Sequence, residues 1–280
     1  MKIPIASGTL PVSSLFGCYV VPLYGFNEWN DPFVRGTGFY VHLSPHFYLV
    51  SAKHVFDEIH MPGGVWINPA RSEFMQLRGL QLHSGKTMQV EQDDQLDLIV
   101  TQMHADMPKP PFISNEGQNM FINIHALEWG HLKSRELPRR LGVYHALGYP
   151  QSKNQINHSR RFLQSNLFSY SGISPGSAVY KELKVDEYKN ILIIFDQKSA
   201  KGNIGNNIPF PNPQGMSGGP IINFTPNFKN VRESEFYVTG VVTERVRDRL
   251  LIRGTDIRYV KQMIEILHSG GVISKTNKLN

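Results

Sequence analysis

Residues 213–220 read Pro213-Gln214-Gly215-Met216-Ser217-Gly218-Gly219-Pro220, and the apolar pair Ile221-Ile222 follows. Glycine and proline at this density bend a chain sharply, and the β-branched pair opens a strand. A serine in such a bend is held clear of its own backbone, with neighbouring N–H groups free to point at a bound molecule. Its hydroxyl becomes a nucleophile when three conditions are met. A base takes its proton, a partner fixes the tautomer of the base, and preorganised donors receive the developing oxyanion. Ser217 is the candidate nucleophile, and the backbone N–H groups of Gly215 and Ser217 are the expected oxyanion donors.

Two stretches upstream supply the remaining parts. Val50-Ser51-Ala52-Lys53-His54-Val55 ends an apolar strand and leads into one or two helical turns, so His54 sits at a rigid strand–helix junction and is the candidate base. Leu96-Asp97-Leu98-Ile99-Val100 leads from an acidic loop into another apolar strand. Asp93 and Asp94 belong to the solvated loop. Asp97 is flanked by leucines, where a carboxylate is costly to bury without hydrogen bonds, and it is the candidate that orients His54.

The rest of the chain sets the fold class. Its 280 residues hold 24 glycines and 18 prolines, with short apolar runs between them. Strands are expected at Leu15–Leu23, at Gly36–Leu43 and His46–Ala52 joined by a Ser44-Pro45 turn, and at Leu141–Leu147, Phe162–Tyr170, Asn190–Phe195, Glu235–Thr243 and Leu250–Ile252. Shorter ones are expected around Val65–Ile67, Leu77–Leu82 and Thr87–Val90. Thr255 reads as the N-cap of a helix to about His268, with Ile257, Val260, Ile264 and Leu267 on one face. No repeat of fixed period and no linker between unlike halves is present. The pattern is that of an all-β barrel or sandwich with one C-terminal helix.

The three motifs, in the order His, Asp, Ser, resemble the signature segments of the trypsin-like (chymotrypsin-fold) serine peptidases. Gly36-Thr37-Gly38-Phe39 resembles the lead-in of bacterial intracellular, HtrA-type members, and no PDZ domain is expected here. Gly148-Tyr149-Pro150 and Tyr237–Thr243 also resemble family segments. The resemblance implies two six-stranded β-barrels with a C-terminal α-helix, peptide-bond hydrolysis through an acyl-enzyme, and no cofactor. It implies a single peptidase domain over residues 1–280, with about 13–140 as the first barrel, about 141–254 as the second and about 255–270 as the helix.

Two departures carry consequences. Lys53 stands where the family usually has alanine. Met216 stands where digestive members carry the aspartate that pairs with a freed N-terminus, so control is expected from loop ordering, at 104–140 or 197–212, or from a regulatory protein partner. By the same alignment Pro211 and Asn212 fall at the floor of the primary specificity pocket, Gln214 beside it, and Thr243, Glu244 and Arg245 along its wall. No acid occupies the floor, so a strict Lys/Arg preference is not expected.

Other features point to simpler roles. The net charge of +6 and pI of about 9.3 fit a basic soluble protein, and nucleic acid is not an expected partner. No stretch reaches the roughly 20 apolar residues that span a bilayer, so no membrane association is expected. The single Cys18 and the absence of an apolar leader suggest a cytoplasmic, reducing setting. His42, His46 and His60 lack metal-ligand spacing, and no metal is expected. A protein or peptide substrate is the expected ligand. The alternative is a catalytically silent, protease-fold binding module.

Overall fold

The computed structural model describes residues 16–57 except 18 and 30, then 66–67, 84–89, 96–103, 111–113, 119–121, 127–132, 143–154, 156–157, 162–163, 166–195, 211–225, 235–246 and 250–269. The first sheet contains β1 (Val20–Phe26), β2 (Pro32–Leu43), β3 (His46–Ala52), β4 (Trp66–Ile67), β5 (Ser84–Gln89) and β6 (Leu98–Met103). They lie in the order β4-β1-β2-β3-β6-β5, each pair antiparallel. Strands β7 (Pro111–Ile113) and β8 (Asn119–Phe121) form a separate hairpin, and β9 (Leu127–Glu128) pairs parallel to β2.

The second half closes on itself. Strands β10 (Val143–Gly148), β13 (Phe168–Ile173), β14 (Asn190–Phe195), β17 (Leu251–Asp256), β16 (Glu235–Val246) and β15 (Pro220–Thr225) form a barrel in that order. Closure leaves these strands no free edge along the barrel wall. The short pair β11 (Ile156–Asn157) and β12 (Phe162–Leu163) stands apart. Tyr144, Ala146, Phe168, Tyr170, Ile191, Ile193 and Ile221 fill the barrel.

A larger cluster joins the two halves. It runs from Val41, Val50 and Val100 of the first sheet to Leu147, Ile222 and Val241 of the second, and includes the C-terminal helix. That helix, Ile257–His268, buries Ile257, Tyr259, Val260, Met263, Ile264 and Leu267, which contain the apolar face read from the sequence. Its last residue returns to the first sheet, where His268 Nδ1 lies 3.0 Å from the Tyr48 hydroxyl, itself pushed up to about 12 by burial. Among the described residues no helix is long and apolar enough to cross a membrane.

Several local expectations are corrected. The run read as Leu15–Leu23 splits: Phe16 lies in a helical turn, and the strand occupies Val20–Phe26. The single run Phe162–Tyr170 is two strands, β12 and β13. A short helix, Ser177–Glu182, follows β13 and has no clear periodic signal in so few residues. The C-terminal helix is capped by Asp256, whose carboxylate accepts the Arg258 N–H at 2.8 Å. Thr255 is instead the penultimate residue of β17. The expected strand at Leu77–Leu82, and Cys18, lie outside the described residues, as do most of 104–140 and all of 197–210.

One part-buried ionisable group makes stability depend on pH. His145 in β10 pairs with Ser171 in β13, whose Oγ lies 2.8 Å from its Nδ1. Burial pushes the imidazole down from 6.5 to about 4. The folded state therefore prefers the neutral ring, while the unfolded chain takes up a proton below about 6.5. The contribution is complete above pH 6.5 and is lost as pH falls toward 4. Urea midpoints measured across this window should fall with pH, and His145→Gln should flatten the fall.

Candidate active site

Asp97 and His54 meet because of strand register. In the β3–β6 pair, Ala52 stands opposite Leu98 and Ser51 opposite Ile99. One step further, β3 passes into the short helix Lys53–Asp57 while Asp97 precedes β6. Asp97 adopts φ 40, the left-handed region that aspartate tolerates better than most residues. In this conformation it receives three hydrogen bonds. Its main-chain oxygen accepts the Lys53 N–H at 3.0 Å, Oδ1 accepts the His54 N–H at 3.0 Å, and Oδ2 accepts His54 Nδ1–H at 2.6 Å. The carboxylate thus caps the start of the helix and fixes the ring at once. That leaves Nε2 as the acceptor nitrogen.

The helix itself is seated by Val55, which is fully buried. A Cβ at Gly36 would come within 2.5 Å of its side chain, so the glycine makes room for it. The preceding loop is tied from the other half of the molecule: the Thr255 hydroxyl donates to the carbonyl of Leu96 at 2.5 Å.

The Ser217 turn comes from the second half. Gly215 and Gly218 take φ 95 and 90, which only glycine adopts without strain. Every carbonyl from 213 to 217 has a donor. Pro213 accepts Met216 N–H, Gln214 accepts Gln151 N–H at 2.7 Å, and Met216 accepts Gly219 N–H. Gly215 accepts the Thr37 hydroxyl at 2.8 Å, and Ser217 accepts the Thr37 N–H at 2.8 Å. The N–H groups of Gly215 and Ser217 donate to no acceptor among the described residues. The Gln214–Gly215 peptide is planar, so a carbonyl directed at Gln151 turns the Gly215 N–H the opposite way. Two adjacent free donors of this kind are what an oxyanion requires.

Met216 is fully buried in the core of the second barrel with Tyr144, Phe168 and Tyr170. The side chain between the two donor residues is therefore an apolar anchor.

These elements line one cleft of about 710 Å³, with His54, Asp97, Gly215 and Ser217 on its walls. Of the expected specificity residues, Asn212, Gln214, Thr243, Glu244 and Arg245 line it as well. Pro211 does not. It is buried behind the wall, and its carbonyl accepts the Tyr170 hydroxyl at 3.0 Å. Burial raises the pKa of that hydroxyl, against an opposing effect of Arg245. Glu244 is engaged by Arg253 at 3.0 Å. Phe33, Val34, Arg35 and Gln151 also line the cleft. The sequence reading missed them, because nothing in a β-strand or a turn marks which face will meet the other half of the molecule.

The Ser217 hydroxyl donates to the carbonyl of Thr243 at 3.1 Å, not to His54. Strand β15 pairs with β16 only as far as Val241. Past that point, the side of β16 bearing the Thr243 carbonyl faces the cleft. Among the described residues no group of three His, Cys, Asp or Glu side chains is arranged to hold a metal ion.

No protein-family model and no curated protein sequence matches the chain. A solved structure does: the scabies mite inactivated protease paralogue S-D1 superposes with a TM-score of 0.51 at 12% identity, over 92% of this chain and 95% of that one. Identity this low speaks for the fold alone. Together with the strand order, it makes the molecule an all-β, chymotrypsin-like double barrel with a C-terminal helix. The trypsin-like fold is supported; the bacterial HtrA-type style is not.

The short Nδ1–H···Oδ2 contact has a direct readout. A ring proton shared at 2.6 Å should resonate far downfield in the proton NMR spectrum. Asp97→Ala should abolish that signal, and Ser217→Ala should leave it.

Proposed function

We propose that the protein is a serine endopeptidase that hydrolyses protein or peptide bonds through an acyl-enzyme. One observation carries this reading. A hydrogen-bonded His54–Asp97 pair, the Ser217 hydroxyl and two free backbone donors share a single cleft.

An extended substrate adds a strand along residues 243–245 of β16. Its backbone N–H takes the Thr243 carbonyl, and the Ser217 hydroxyl, released by rotation about Cα–Cβ, turns to His54 Nε2. Oγ attacks the scissile carbonyl carbon as its proton passes to Nε2. Asp97 holds the imidazolium through Nδ1–H. The carbonyl π pair moves onto oxygen, which is received by the N–H groups of Gly215 and Ser217. Collapse expels the amine, which takes the proton from Nε2 and leaves an ester on Ser217. Water then repeats the sequence with His54 as its base and releases the acid. Asn212, Gln214, Thr243, Glu244 and Arg245 surround the side chain next to the cleaved bond. With Pro211 and Asn212 rather than an acid at the positions aligned with the pocket floor, a strict Lys/Arg preference does not follow.

Met216 carries no charge for a freed N-terminus to neutralise. Control then falls to loop ordering or a protein partner, in a cytoplasmic setting that the single Cys18 fits. Full activity of the isolated chain would rule that control out.

A second reading has its own observation. The Ser217 hydroxyl rests on Thr243, and the scabies mite protein that superposes on this chain is an inactivated protease paralogue. A catalytically silent binding module has the same cleft and no turnover.

A fluorophosphonate probe separates the two. The peptidase should be modified at Ser217, and both Ser217→Ala and His54→Ala should lower peptide hydrolysis by about 10⁴-fold or more. Hydrolysis that survives Ser217→Ala sinks the mechanism. Peptide binding with no labelling of the parent chain selects the silent module.

A further inference from the structure

We propose that Thr37 is a positioning residue whose hydroxyl sets the oxyanion donor of Gly215. The proposal rests on the peptidase reading of the cleft.

Thr37 lies on β2, in the first sheet, and is fully buried. Two of its groups reach across to the second half of the molecule, in three hydrogen bonds. Its N–H donates to the Ser217 carbonyl at 2.8 Å. Its Oγ1 donates to the Gly215 carbonyl at 2.8 Å and accepts the Tyr149 N–H at 3.0 Å. Its own carbonyl is held by the Ser51 hydroxyl at 2.7 Å. Backbone N–H groups satisfy the other carbonyls of residues 213–217, so Gly215 is the one that depends on a side chain.

The hydroxyl is a node between two segments. One is the turn that carries the free Gly215 N–H. The other is Tyr149-Pro150-Gln151, whose Gln151 N–H holds the Gln214 carbonyl and so directs the Gly215 N–H into the cleft. Gly215 has no Cβ to resist rotation, so its peptide planes are set by these outside bonds. Without the hydroxyl, a buried carbonyl and a buried N–H lose their partner together. The Gly215–Met216 peptide then turns to satisfy its carbonyl, the 149–151 segment shifts with its freed N–H, and the Gln214–Gly215 peptide held by Gln151 moves with both, so the donor leaves its aim. The Thr37 main-chain bond to Ser217 remains, so the nucleophile stays in place. Loss of aim at one oxyanion donor costs about 10²-fold in the chemical step.

The experiment compares Thr37→Val, which keeps shape and removes the hydroxyl, with Thr37→Ser, which keeps the hydroxyl. Fluorophosphonate labelling of Ser217 is followed at several probe concentrations, and exchange of the Gln151 amide with solvent deuterium by NMR. In Thr37→Val the maximal inactivation rate should fall about 10- to 100-fold with the probe's half-saturation unchanged, and the Gln151 amide should exchange faster. Thr37→Ser should stay within about threefold of the parent. A parental inactivation rate in Thr37→Val overturns the proposal. If Thr37→Val does not fold, a folded Thr37→Ser chain that loses labelling overturns it, and one that keeps labelling supports it. If the parent chain is never labelled, the peptidase reading fails separately. The amide exchange then decides whether Thr37 holds the turn, and unchanged exchange in Thr37→Val overturns that role too.

Discussion

The space at Gly218 and Gly219 constrains everything else in this cleft. A Cβ at Gly218 would stand 2.0 Å from the Thr37 carbonyl oxygen, and one at Gly219 would stand 1.8 Å from the Leu147 carbonyl oxygen. Both clashes are with backbone, which cannot swing aside. The turn is wedged between β2 of the first sheet and β10 of the barrel, and only glycine lets it in. Because it is wedged, its carbonyls find donors on both sides, while the N–H groups of Gly215 and Ser217, two residues that line the cleft, find no acceptor among the described residues. The free donors of Gly215 and Ser217 are thus a consequence of close packing around them.

The two halves hold each other's reactive loops. The Thr37 side chain, from the first sheet, binds the serine turn, and Thr255, from the last strand of the barrel, binds the carbonyl just before Asp97. Met216 adds an apolar anchor. Burying a methionine side chain contributes about 1.5–3 kcal/mol. That is more than the roughly 0–1 kcal/mol of a solvated ion pair, and a buried pair is often matched by apolar side chains of similar volume. An acid at this position needs a cation delivered to it. A buried thioether needs only the core that Tyr144, Phe168 and Tyr170 already form. The described turn is held by groups within the same chain, so any switch has to act on the loops around it.

Much of this was legible in the residues. Ser217, His54 and Asp97 could be picked out because each sits where a turn or helix interrupts an apolar strand, and such junctions have local signals. The apolar face of the last helix was legible because Ile257, Val260, Ile264 and Leu267 keep helical spacing. Boundaries were less so. Thr255 and Asp256 are both good caps, and what decides between them is where their side chains go: the Thr255 hydroxyl donates to the Leu96 carbonyl, and the Asp256 carboxylate accepts the Arg258 N–H. Leu15–Leu23 reads as one strand because apolar runs do not announce their ends. The function of Thr37 was not legible at all: its hydroxyl meets a carbonyl 178 residues away, and no local pattern encodes that distance. Pro211 was misassigned to the pocket for a related reason, since alignment on a motif places a residue along the chain and says nothing about which way the wall faces.

The hydroxyl of Ser217 points away from His54, and the size of the interactions decides how much weight that carries. A single hydroxyl–carbonyl hydrogen bond contributes about 0.5–1.5 kcal/mol net. Rotation about one Cα–Cβ bond exchanges staggered wells of similar depth. On the proposed peptidase reading, a substrate strand along β16 would bring an N–H for the Thr243 carbonyl, so the bond that Ser217 gives up would be replaced and a new one would form with His54 Nε2. The exchange is close to neutral. Barriers to hydrolysis are larger by an order of magnitude, and catalysis lowers them by 8 kcal/mol or more, roughly. The resting direction of one hydroxyl is therefore a small term beside the seating of His54 by Asp97 and of the donors by the turn. Serine, histidine and aspartate are all present at the cleft.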